Sequence, residues 1–186
     1  MRISKWIKRL IPLAVLLAAG VLAVAYVRIR YPVRHLDLVR QFSEQHNLEP
    51  CLVLAVINTE SRFRTYVESH AGAKGLMQLM DATAEWVAKL AGLEGYAERV
   101  FEPEANIALG TWYLARLLRH FGDEQTALAA YNAGTGNVTN WLANPQHSRD
   151  GVTLFNIPFT ETHNYVRRVE HNRRVYRLLL RWVYRW

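Results

Sequence analysis

The residue best placed to do chemistry is Glu60, a carboxylate that closes an apolar run at residues 52–57. A turn-rich segment, 64–74, follows, and the chain then returns to apolar Gly75-Leu76-Met77-Gln78. An acid at the mouth of an apolar helix end, faced by a polar loop, loses hydration. Desolvation penalises the charged form, so the pKa rises and the group can act as a general acid. The plain alternative is a solvated glutamate at a helix C-terminus, and residue types alone leave both readings open. Glu68, the nearest other acid, reads as a solvated loop residue. The seven histidines are scattered without a His-Glu-x-x-His pattern, and no Gly-rich phosphate loop is present. The single cysteine, Cys51, sits in an apolar helical pattern and can form no intrachain disulfide. No metal and no cofactor are expected.

The elements that must position Glu60 all read as helices. From Leu36 the apolar positions Leu36, Val39 and Phe42 fall on one helical face. Pro50 suits a first-turn position and opens the helix that ends at Glu60. Asp81 can cap a helix through Trp86, Val87 and Leu90, stopped by Gly92. Glu102-Pro103 opens what reads as the longest regular helix. Its apolar residues recur at three- and four-residue spacing until Gly122. Asp123 starts a shorter helix to Tyr131; Gly134 and Gly136 precede another around 138–142. Residues 144–158 read as a loop, and 161–186 as a final helix. No run alternates long enough to predict a sheet, so the domain is expected to be all-α.

Charge divides the chain. Residues 1–34 hold seven basic side chains and no acid, whereas the remainder holds 16 of each sign. The net charge of +7 therefore describes the N-terminal segment and gives no sign of nucleic-acid binding. Residues 10–27 are 18 in a row without a charge, long enough to cross a bilayer as a helix. Trp6, Tyr26 and Tyr31 flank that run, as interfacial aromatics do. The preferred reading is an uncleaved signal anchor at 10–27, a cytoplasmic basic segment at 1–9 and a linker at 28–35. A cleaved signal peptide is the alternative, with Ala23-Val24-Ala25 as the cleavage site.

Four motifs now fall in order: Glu60-Ser61-Arg62-Phe63, Gly75-Leu76-Met77-Gln78, Ala130-Tyr131-Asn132-Ala133-Gly134, and Glu161-Thr162 with Tyr165-Val166. Asn106, Ile107, Gly110, Tyr113 and Leu114 add a long-helix pattern. Together they resemble the soluble-type lytic transglycosylases over about residues 36–180, and the domain is drawn at 36–186. The resemblance implies a lysozyme-like α fold with a saccharide groove, and peptidoglycan glycan strands as partner. It implies Glu60 as the single general acid/base, first protonating the oxygen between N-acetylmuramic acid and N-acetylglucosamine. The carboxylate then takes a proton from the muramic C6 hydroxyl, which attacks C1 and closes a 1,6-anhydro ring.

Other roles come from the same resemblance. Ser61 follows the acid, with a local helix-terminal bond as the alternative role. Phe63 packs beneath the acid. Ser69 matches a serine that orients the reacting sugar. Met77 and Gln78 line the groove, or Met77 fills the core. Tyr131 and Asn132 contact substrate. Tyr165 places its hydroxyl near the acid, or is a core aromatic. Glu161, grouped with the substrate-contacting residues, reads more as a tie for the last helix than as a chemical group.

That last helix carries seven arginines against one acid between residues 167 and 185, and Trp182, Tyr184 and Trp186 near its end. It is expected to rest on an anionic membrane surface. The expected location is a bacterial cell membrane, crossed once, with the domain on the extracytoplasmic side. Two alternatives to transglycosylation remain: a hydrolysing muramidase of the same fold, and a non-catalytic peptidoglycan-binding module.

Overall fold

The computed structural model describes residues 5–183, and the side chains of residue 12 and residues 14–181. Among the described residues the chain forms eight helices and no strand longer than an isolated bridge. It divides into two units, Met1–Val33 and Arg34–Trp186.

The first unit is one helix, α1 (Lys5–Arg30). It runs without a break through Arg28, Ile29 and Arg30, which the sequence assigns to a linker. Val15, Leu16, Leu17, Val21 and Leu22 are all exposed on it. Among the described residues, no helix is long and apolar enough to cross a membrane. The run expected to do so begins among residues whose side chains lie outside the described set. Trp6, Trp182, Tyr184 and Trp186 also lie outside it.

The second unit is built around α3 (Pro50–Glu60), whose residues 51–58 are all buried. No face of α3 is polar, so it must be enclosed on every side. It packs against α2 (Leu36–His46) and the long α8 (Thr160–Val183). Pro50 occupies the first turn, where its missing N–H costs nothing. α4 (Asp81–Ala91) ends at Gly92 in the left-handed conformation, as expected. Asp81, however, is the first helical residue rather than the cap, and its carboxylate pairs with Lys74 at 2.7 Å. α5 (Pro103–Phe121) stops at Gly122 as expected, but at 19 residues it is shorter than the 24 of α8. α6 (Glu124–Ala133) is capped by Asp123, which accepts from the Thr126 N–H at 2.8 Å. α7 (Thr135–Leu142) begins directly after Gly134, so Gly136 lies inside it rather than before it.

α5 is the second organising element and packs against α2, α4 and α6. On its buried stripe, Asn106 and Gly110 stand one turn apart. A Cβ on Gly110 would overlap the Met77 sulfur and lie 2.8 Å from Met77 Cβ. The sulfur can swing aside, but Met77 Cβ is fixed to the backbone. Gly110→Ala is therefore expected to destabilise the domain by about 1–3 kcal/mol, the usual cost of overpacking. Thermal unfolding at fixed pH measures it, and an unchanged midpoint would refute the contact.

Two arginines of α8 knit the unit together. Arg173 pairs with Glu49 and Glu124, and Arg177 reaches Glu49 at 2.5 Å. Burial pushes the Glu49 pKa upward, but these two guanidiniums outweigh it and hold the carboxyl below its ordinary value. Part of the basic surface expected on this helix is therefore spent on internal ion pairs.

Candidate active site

Glu60 is the last residue of α3, where the buried helix reaches the surface. The chain turns sharply after it: Arg62 and Phe63 take φ of 53° and 61°, in the left-handed region. Such a conformation is strained for residues with a Cβ and holds only where surroundings fix it. Phe63 is driven inward to 1% exposure. Ser61 is completely buried, and its hydroxyl donates to the Leu76 carbonyl at 2.8 Å. Ser61 thus stitches the end of α3 to the 75–78 segment, and its side chain is turned away from solvent.

The 75–78 segment forms no helix, and its polar groups are satisfied by side chains from three directions. The Met77 N–H donates to Asn106 Oδ1 at 2.7 Å. The Tyr131 hydroxyl donates to the Met77 carbonyl at 2.9 Å. Ser61 supplies the third tie. Gly75 makes the approach possible. Its φ is 76°, and a Cβ there would overlap the Asn106 amide and lie 2.7 Å from the Val100 carbonyl. Only glycine meets both demands.

Glu60 sits among these groups with partial exposure. Burial pushes its pKa up to about 8. A hydroxyl from Tyr165 and the charge of Arg168 act the other way, and Glu161 adds a smaller upward push. The Tyr165 hydroxyl is buried and makes no hydrogen bond. It nevertheless stands close enough to Glu60 for each group to shift the other. The two are neighbours whose hydrogen bond is not closed. A donor at that position favours the carboxylate, so Tyr165→Phe is expected to raise the Glu60 pKa further. The alkaline limb of any acid-dependent activity should then move to higher pH; a limb that stays or falls would show that the hydroxyl does not face the acid.

The remaining expected residues fall into two groups. Tyr131 stands beside Glu60, whose charge helps raise its phenol well above the ordinary value after burial, the main cause. Asn132 is half-buried and accepts from the Thr162 hydroxyl at 2.7 Å, which joins the end of α6 to the start of α8. That bond makes Thr162 the tie expected of Glu161. Glu161 itself is exposed in the first turn of α8, where the helix dipole favours an anion. The other residues have bonding or packing partners of their own. The Ser69 hydroxyl accepts from the Ala73 N–H at 3.0 Å. Gln78, with φ of 49°, donates to the carbonyls of Gly75 and Val67 at 2.9 and 3.2 Å. Met77 is fully buried against Gly110; Met80, two residues beyond Gln78, is the exposed methionine, at 44%.

Two contributors were not expected at the site: Asn106, read from the sequence only as part of the long-helix pattern, and Arg168. Asn106 is fully buried, and its carboxamide bonds three backbone groups. Its signal was a carboxamide on the buried stripe of a helix, which must find partners. Arg168 acts on Glu60 from α8 and left no local signal. Among the described residues, no three His, Cys, Asp or Glu side chains group closely enough to hold a metal ion.

The sequence model of the transglycosylase SLT domain matches residues 37–152, more than half of the chain. The chain belongs to the transglycosylase SLT domain family. The match contains Glu60, the 75–78 segment and the Tyr131 region, while α8 with Tyr165 lies beyond it. The SLT domain is 36% identical over 144 residues to the soluble lytic murein transglycosylase of Escherichia coli K12. That alignment covers 75% of this chain and 22% of the relative. A membrane-bound lytic murein transglycosylase C from Sodalis glossinidius is 36% identical over 125 residues, covering 61% of this chain and 35% of that protein. In structure, the SLT domain resembles an inactive mutant of lytic transglycosylase Slt from Pseudomonas aeruginosa. The TM-score is 0.75 with 32% identity, over 83% of this chain and 26% of that one. The fold is thus the all-helical lysozyme-like fold of lytic transglycosylases, and the chain spans about a quarter of the length of the first relatives it matches.

Proposed function

We propose that this protein is a lytic transglycosylase acting on peptidoglycan. It cleaves the β-1,4 bond between N-acetylmuramic acid and N-acetylglucosamine and leaves 1,6-anhydromuramic ends. One observation carries this reading: an acid at the end of a buried helix, whose burial pushes its pKa up to about 8. At neutral pH such a group is mostly protonated and ready to donate. Glu60 gives its proton to the bridging oxygen as the C1–O bond breaks. The glutamate so formed accepts the proton of the muramic C6 hydroxyl as that oxygen bonds to C1. The acid is regenerated and no water is consumed. Because the nucleophile belongs to the substrate, proximity replaces a second activating carboxylate.

The relatives named above are lytic murein transglycosylases, which supports the reaction class. Hydrolysis remains the second reading because glycosidases commonly use two carboxylates. Glu161 is a second acid whose charge reaches Glu60. Mass spectrometry of digested peptidoglycan separates the readings. Anhydro ends are expected. Reducing ends would mean a muramidase, and uncut strands a binding module.

The same proposal includes a membrane location with the SLT domain outside the cytoplasm. The 26 residues of α1 span about 39 Å, longer than a hydrocarbon core. The uncharged run at 10–27 supports insertion. Deleting residues 1–33 should release the protein from the membrane fraction; retention would refute the anchor. Contact of α8 with an anionic surface would fall to its exposed Arg167, Arg168, Arg174 and Arg181, since Arg173 and Arg177 are paired with acids.

A further inference from the structure

Beyond the groups around Glu60, aromatic rings continue in an unbroken line. Tyr131 stands beside the acid. Its ring lies 5.4 Å from that of Tyr113, on the stripe of α5 that carries Asn106 and Gly110. Tyr113 in turn meets the Trp86 indole edge-on at 6.2 Å, and Trp86 meets Trp112 at 5.9 Å. The Arg116 guanidinium sits over both indoles, at 5.1 and 5.6 Å. A cavity of about 220 Å³ opens beside this group, lined by Trp86, Tyr113, Arg116, Leu117, His120 and Thr135.

We infer that this cavity is a subsite for an N-acetylhexosamine ring of the glycan strand, two aromatic steps from Tyr131. The inference rests on the proposed reaction and adds a residue-level account of strand binding. The wall chemistry is that of a sugar site. A pyranose presents a flat face of C–H bonds and a rim of hydroxyl and acetamido groups. Trp86, Tyr113 and Leu117 offer an apolar wall; Arg116, His120 and Thr135 offer polar groups around it. Trp86 is 41% exposed, so its indole is available to a ligand rather than consumed by the core. The two indoles hold Arg116 before any ligand arrives, which lowers the entropy cost of using its donors. The line of rings joins the cavity wall, through Tyr113, to Tyr131 beside the acid, which argues for the same strand as occupant. Trp86 sits on α4 and Arg116 on α5, so the subsite depends on packing between helices.

The test uses the full chain carrying Glu60→Gln, so that nothing is cleaved. Peptide-free N-acetylglucosamine oligomers of increasing length are titrated by calorimetry. Affinity is expected to rise with length. Trp86→Ala and Arg116→Gln, each added to that background, should remove about five- to tenfold of the affinity gained by the longer oligomers. Trp86→Phe should restore much of it. Arg116 is exposed, so its replacement leaves the fold intact even if Trp86→Ala unfolds. The same length dependence in all variants would overturn the subsite. So would a response seen only with peptide-bearing strands, which would give the cavity to the stem peptide. Neither result bears on the reaction, which is judged separately by anhydro ends from the unmodified protein.

Discussion

Glu60→Gln is expected to lower turnover on peptidoglycan by roughly 10²–10⁴-fold, the usual contribution of a general acid–base group. The glutamine keeps the shape of the side chain but has no proton to give. Release of anhydro-muropeptides, followed over time, measures the loss, and turnover within twofold of the parent would remove Glu60 from the chemistry. In the parent protein, activity that needs the protonated acid should fall as pH rises through about 8. The same substitution should raise stability, and the sign follows from linkage. The acid binds its proton more tightly in the folded state than in the unfolded state. Stability from that difference is complete below pH 4.5 and is lost progressively as pH rises toward 8. Glutamine never ionises and so avoids the loss. At pH 8 the variant is expected to be more stable by on the order of 1–3 kcal/mol, discounted for the partial exposure of the carboxyl. At pH 4 the two proteins should melt alike. A variant that is less stable at pH 8 would show that the carboxylate is well solvated in the fold.

Asn106→Leu is expected to be the most damaging substitution outside the acid. Leucine matches asparagine roughly in size but makes no hydrogen bond. The native carboxamide accepts from the Met77 N–H and donates to the carbonyls of Lys74 and Val100, at 2.7, 3.0 and 2.7 Å. All three backbone groups would be left unpaired in a dry interior, at about 1–3 kcal/mol each before relaxation. A net loss of about 3–5 kcal/mol follows, or a melting point lower by about 10 °C for a domain of this size. Activity should fall further than stability explains, because the 75–78 segment would lose its anchor beside Glu60. Melting and turnover measured below the transition separate the two effects. Native stability in the variant would mean that Asn106 is not the clamp.

Much of the scaffold was legible from local rules. Pro50, Pro103, Gly92, Gly122 and Asp123 punctuate helices by their own backbone chemistry, so those ends were found. The site was legible in its central residue, since an acid terminating an apolar helix is visible in order and type. The supporting residues were less so. Met77 and Met80 are the same residue type three apart, and only packing decides that Met77 enters the core against Gly110 while Met80 is exposed. The basic face of α8 looked free because its partner acids, Glu49 and Glu124, are distant in sequence.

The sequence by itself determined an all-helical domain, several of its helix ends, and Glu60 as an acid closing an apolar run. Each rests on interactions among residues close along the chain. Tertiary structure alone decided the buried bond of Ser61 to Leu76, the Asn106 clamp, and the nearness of Tyr131, Tyr165 and Arg168 to the acid. Those depend on where separate helices meet, and so does the size of the Glu60 shift, because desolvation is set by what surrounds a group in space.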